Sequence, residues 1–160
     1  MDVRNAEDSE IDQIARVWFD GWRDAHLALV PAELARLRTL ETFQRRIADA
    51  ITEVRVIGPV GGPLGLCMIK QDEIYQLYVA GAARGSGAAA ALLSDGEARL
   101  AETGTRTAFL GCAIGNDRAA RFYEKHDWRR VGQVMSQVWA PEGEFSLEVW
   151  RYEKTLIASS

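Results

Sequence analysis

A chain of 160 residues with 48% hydrophobic and 26% charged residues has an ordinary globular makeup and can bury a core without covalent staples. It suits one domain, residues 1–160, rather than two. Its formal net charge of −4 speaks against a nucleic-acid partner, which usually requires a basic surface. No apolar run approaches the roughly 20 residues of a membrane span, and the opening "MDVRNAEDSE" is too polar for a signal peptide. Cys67 and Cys112 both lie in apolar, strand-like runs. That placement points to buried free thiols and a reducing, cytoplasmic setting.

Residues 2–6 read as a short strand. Ser9 offers an N-cap, with Asp12 three positions on in the manner of a capping box. Ile11, Ile14, Ala15, Trp18 and Trp22 then form one face of a helix. Pro31 suits the first turn of a second helical segment. Leu40, Phe43, Ile47 and Ile51 carry another apolar face to about residue 52. The texture then changes to three strand candidates, "EVRVIGP", "LGLCMIK" and "EIYQLYVA", separated by short turns. Links that short predict antiparallel pairing, because a parallel crossover needs a dozen or more residues. A helix over 86–103 follows, closed by Gly104, and then a strand over 106–114. Asn116 or Asp117 can cap the next helix, whose face reads Ala119, Phe122, Tyr123. Two further strands, "RRVGQVMSQVWA" and "FSLEVWRYEKTL", are linked through "PEGE". The pattern is an α/β chain with a mixed, mostly antiparallel sheet and one parallel strand–helix–strand unit.

The run "YVAGAARGSGAAAALL" admits three phosphate-binding designs. A Walker-type loop needs Lys and Ser/Thr after its last glycine, but five apolar residues follow Gly87. The dinucleotide pattern G-x-G-x-x-G/A is met by Gly85, Gly87 and Ala90. Its context is wrong: Ala80 to Ala83 separate the strand from Arg84, and the strands before it form a meander. The pattern R/Q-x-x-G-x-G/A is met by Arg84, Gly87 and Ala89. Physically it is a helix N-terminus where small residues let a diphosphate approach backbone N–H groups, with Arg84 able to add a charge-assisted contact.

The order of strand "IYQLYV", glycine loop, long helix and a second parallel strand ending in "IGNDRAARFYEKHDW" resembles the GNAT superfamily of N-acetyltransferases. Asn116, Ala119, Phe122 and Tyr123 match that family's second block. The resemblance covers most of the chain and implies a GNAT-like fold with acetyl-CoA as acetyl donor and no metal. It implies a diphosphate cradle at Arg84, Gly85, Ser86, Gly87, Ala88 and Ala89. Leu77, Tyr78 and Val79 would lie along a strand that splays from its parallel neighbour, with Asn116 and Tyr123 completing the cofactor side. Tyr123 is the implied acid for the departing thiolate. Glu73 leads as general base, with Tyr75, Tyr78, His26 or an ordered water as alternatives. Trp18, Trp22, His26 and Trp139 are candidates for the acceptor pocket, Trp22 and His26 foremost. The implied acceptor is a small-molecule or peptide amine, and the long C-terminal hairpin leaves a homodimer open. The chain departs from the family at Gly81, where a proline is common, and at Asp127-Trp128, where Gly-Phe is common. Gly111 stands where some relatives carry a glutamate. The absence of that carboxylate leaves a second reading, a non-catalytic acyl-CoA-sensing module.

Overall fold

A computed structural model describes residues 2–156. The chain runs through β1 (Val3–Asn5), α1 (Ile11–His26), α2 (Ala32–Leu37), α3 (Leu40–Ala50), β2 (Arg55–Ile57), β3 (Gly65–Lys70) and β4 (Glu73–Val79). It continues through α4 (Ala88–Glu102), β5 (Thr107–Ala113), α5 (Asp117–Lys125), β6 (Arg129–Ala140) and β7 (Gly143–Thr155). The strands form a seven-stranded sheet in the order β1-β2-β3-β4-β5-β7-β6. Only the β4–β5 contact is parallel; the other five are antiparallel.

Alternation along β3 feeds two cores. Cys67 faces one side, where Leu92, Leu93 and Leu100 of α4 pack with Ile74 and Leu110. Leu66 and Met68 face the other, against Ile14, Trp18 and Trp22 of α1 and Phe43 and Ile47 of α3. Each of these large side chains contributes roughly 1.5–3 kcal/mol by leaving water. Both cysteines are free and buried. Burial pushes their thiols up, Cys67 to about 12 and Cys112 to about 11, so both stay protonated.

Two local expectations are corrected. Helix α1 is not opened by Ser9, which lies inside a 3-10 turn over Asp8–Glu10. The buried Glu10 carboxylate closes that turn by accepting from the Glu7 N–H at 3.0 Å. It also accepts from Arg4 through two nitrogens (2.9 and 2.8 Å) and from the Gly61 N–H (3.1 Å). A carboxylate reaches further than a serine hydroxyl and ties three segments together. The C-terminal strands are joined by two residues, Pro141 and Glu142, rather than four, and Asp127 does take the left-handed conformation at φ 71.

The Arg4 guanidinium, with the two backbone N–H groups, holds the Glu10 carboxyl down at about 2 against an ordinary 4.5. A lowered folded value means its stabilisation is present above about 4.5 and is lost as pH falls toward 2. Glu10→Gln should cost about 3 kcal/mol at pH 7, the typical effect of removing one partner of a buried pair. Urea denaturation should show the gap to the unmodified protein narrowing across that acid window.

Candidate active site

Strand β4 is fixed on one edge and free on the other. It pairs with β3 along its length, but with β5 only at Glu73↔Phe109. The register with β3 passes from Ile69↔Ile74 to Met68↔Gln76, so Tyr75 is an extra residue in β4. Such a bulge bends a strand and sharpens its twist, and here it lies just past the last pairing with β5. Beyond it the two strands part. The Ala80 N–H bonds the Leu64 carbonyl at 2.8 Å on the β3 side. Backbone groups alternate between the two edges, so those of Val79 and Leu77 point into the fork.

The loop after β4 closes the fork. Gly85 and Gly87 have φ of 79° and 88°, values natural only to glycine. A Cβ at either would project into open space. The Ser86 hydroxyl donates to the Ala83 carbonyl and accepts from the Ala88 N–H, so it braces the loop. Among the described residues, the N–H groups of Gly85, Gly87, Ala89 and Ala90 meet no protein acceptor. They converge at the positive end of the fifteen-residue α4. Such an array is built for an anion.

A cleft of about 540 Å³ runs from this loop into the fork. Of the residues expected on the cofactor side, Leu77, Tyr78, Val79, Arg84, Gly85, Gly87, Ala88, Ala89, Asn116 and Tyr123 all line it. Ser86 does not, being turned into its own loop. Asn116 caps α5, its Oδ1 accepting from the Ala119 N–H at 3.3 Å. The Arg84 side chain leans across to α1, where Asp24 accepts from it at 2.6 Å and from Arg118 of α5 at 3.2 Å. The two arginines hold the Asp24 carboxyl below its ordinary value. The Tyr123 hydroxyl has no partner among the described residues and faces the cleft. Burial, then the neighbouring Cys112 and Tyr78, push its pKa well above the usual tyrosine range.

A second cleft, about 320 Å³, lies across β4. Tyr78 lines both. Trp22, His26 and Trp139 border the second cleft, whereas Trp18 is packed in the core with 1% exposure. His26 Nδ1 donates to the Trp22 carbonyl at 3.0 Å, which leaves Nε2 with its lone pair. Burial pushes the imidazole pKa down and keeps it neutral. Glu73 is in this second cleft, and burial raises its carboxyl to about 7. It stands at the last β4–β5 pairing, where the fork begins, four residues before Leu77 or about 13 Å along the strand at ~3.3 Å per residue. Gly111, the buried Arg38 and the half-buried Arg46 also line it. Both arginines, Asp24 and Arg118 escape sequence reasoning. Arg46 alone carried a signal, because it sits one turn past the apolar Phe43 on the inward side of α3.

A sequence model described as the acetyltransferase (GNAT) family matches residues 15–128, well over half of the chain. The chain belongs to the GNAT acetyltransferase family. Among curated proteins none matches it. Solved structures share the GNAT fold. YncA from Salmonella typhimurium, determined with acetyl-CoA, is 17% identical at TM-score 0.71, with 100% of this chain and 96% of that one covered. The PaiA N-acetyltransferase from Thermoplasma acidophilum, determined with coenzyme A, is 14% identical at TM-score 0.71, covering 96% and 98%. A ribosomal-protein-alanine N-acetyltransferase from Brucella melitensis is 18% identical at TM-score 0.71, covering 97% and 99%.

In this GNAT chain the two clefts meet where Tyr78 packs on α1. A Cβ on Gly21 would come within 2.8 Å of Tyr78 Cδ1, so α1 can lie this close only with glycine there. Gly21→Ala should cost roughly 1–3 kcal/mol by overpacking. A thermal melt should show Tm lowered by about 5 °C, with the tyrosine ring displaced in a variant structure.

Proposed function

We propose that the protein is an acetyl-CoA-dependent N-acetyltransferase acting on a primary amine by direct attack on the thioester. The observation that carries this is the set of unpartnered N–H groups at Gly85, Gly87, Ala89 and Ala90, placed at the end of a strand fork. The loop suits a diphosphate: the glycine positions open onto the cleft and the helix end is positive. Bound there, acetyl-CoA would supply an activated acetyl thioester. The backbone of Leu77 and Val79 would receive its pantetheine and acyl portion in the fork, and the Val79 N–H would donate to the oxygen as charge develops.

An alkyl ammonium with a pKa near 10.4 must lose a proton before it can attack. Glu73 takes that proton, directly or through water. Its carboxyl, raised to about 7, is matched to neutral pH as a base should be. Tyr123, whose pKa burial likewise raises, stays protonated and donates to the departing sulfur. Two groups whose surroundings set them to opposite tasks favour a catalyst over an acyl-CoA sensor. Thiol release from acetyl-CoA with a panel of amines tests the reading; binding of acetyl-CoA without release by any amine would favour the sensor.

Three outcomes are expected. Tyr123→Phe should lower kcat about 100-fold, within the usual range for acid–base groups, while calorimetry finds the Kd for acetyl-CoA unchanged. For the unmodified protein kcat/KM should rise with pH through about 7 as Glu73 loses its proton. Glu73→Gln should abolish that limb; a limb that persists would place the base elsewhere. Asp24→Asn should release Arg84 and Arg118 toward the diphosphate. KM for acetyl-CoA should then fall about two- to fivefold, the scale of an exposed ion pair.

A further inference from the structure

Two cations of the second cleft, Arg38 and Arg46, have no carboxylate partner among the described residues. Arg38 spends Nε and Nη2 on the Trp139 carbonyl (3.2 and 2.7 Å). Arg46 donates from Nη2 to the Tyr75 hydroxyl at 2.8 Å. Its Nη1 is buried and has no acceptor among the described residues. Nor does either arginine form an ion pair among them. The acids of the cleft lie elsewhere: Glu73 is opposed by Lys70 and Arg151, and Glu144 is exposed at the hairpin.

Both guanidinium groups sit against aromatic rings. Arg38 Cζ lies 4.8 Å from the Trp22 ring centre, and Arg46 Cζ 4.3 Å from that of Trp18 and 4.6 Å from that of Trp139. Such contacts restrain a guanidinium while its N–H groups can still recognise an oxyanion. The protein tolerates a real cost here. Burial, and then the charge of Arg46, lower Arg38 to about 10, and an unmet buried donor is unfavourable by itself. Folding alone would not favour two such groups side by side; an incoming anion would relieve both.

We infer that the acceptor is a small amine carrying its own oxyacid group, a carboxylate or phosphonate, which docks on Arg38 and Arg46 and holds the amine toward Tyr78. This identifies the substrate class of the site and rests on the acetyltransferase reading. A cleft of about 320 Å³ is at the small end for ligands and suits an amino-acid-sized molecule. The anion sets orientation: with the oxyacid on the arginines, the amine is the end left to reach the fork. A plain amine lacks that handle and leaves both arginines unmet.

Thiol release is measured at saturating acetyl-CoA with L-amino acids, aminoalkylphosphonates, the matching monoamines without the acid, and a pentapeptide. At least one acid-bearing amine should exceed its acid-free counterpart in kcat/KM by about 100-fold. Arg46→Gln, and the milder Arg46→Lys, should raise KM for it by about tenfold or more, with the Kd for acetyl-CoA unchanged. Fastest release by a monoamine or the pentapeptide, or an unchanged KM in Arg46→Gln, would overturn the inference and leave the acetyltransferase standing. Tryptophan fluorescence gives a readout free of turnover, since Trp18, Trp22 and Trp139 flank the arginines. Without release by any amine, a response to acid-bearing amines that is lost in Arg46→Gln would uphold the anion site and sink the acetyltransferase reading. Neither release nor response would sink both.

Discussion

Everything at this site follows from one broken ladder. Strands β4 and β5 share a single pairing, Glu73↔Phe109, and then separate. Buried backbone groups are almost always bonded, so a central strand with a bare edge is costly unless something is meant to occupy it. The extra residue Tyr75 is what makes the parting geometrically necessary. The fork exposes Leu77 and Val79, and α4 begins just where the opening ends. Sheet irregularity and helix dipole therefore converge on the same volume.

Strand β4 also acts as a wall between two clefts of different character. The cofactor-side cleft is lined by small apolar residues and by amides, a surface that an extended, flexible ligand with one charged linkage can follow. The opposite cleft is smaller and carries two arginines set against tryptophan rings. Tyr78 belongs to both, and the close approach of α1 through Gly21 keeps its ring in place. In the proposed reaction proton traffic would be divided in the same way, with Glu73, its carboxyl raised, on the acceptor side and Tyr123, held protonated, on the donor side. Asp24 bridges Arg84 and Arg118 across the mouth of the first cleft.

The parts of this arrangement that could be read from residue order are local ones. Arg84, Gly87 and Ala89 sit within one turn of chain, and the Asn116 cap and Tyr123 are on one short helix, so spacing alone places them. The antiparallel pairing of β2, β3 and β4 was legible for a related reason: turns too short for crossovers force it, whereas the seating of β7 beside β5 was not. What stayed hidden depends on distant partners. Asp24 and Arg118 are 94 residues apart, and Arg38 bonds a carbonyl 101 residues away. Ser9 lies inside a 3-10 turn that the Glu10 carboxylate closes, held by Arg4 and Gly61, and neither partner is visible from a local capping pattern. The bulge did leave a trace: Ile74 and Leu77 are three apart in a strand whose apolar residues should alternate by two.

The central claim is that the amides of Gly85, Gly87, Ala89 and Ala90 grip a diphosphate. An amide-resolved NMR titration compares coenzyme A with pantetheine, which lacks that linkage. The account predicts that coenzyme A shifts these four amides most strongly and that pantetheine leaves them unmoved while still perturbing Leu77 and Val79. Equal effects of the two ligands on the loop, or coenzyme A shifts centred on another part of the sheet, would contradict it.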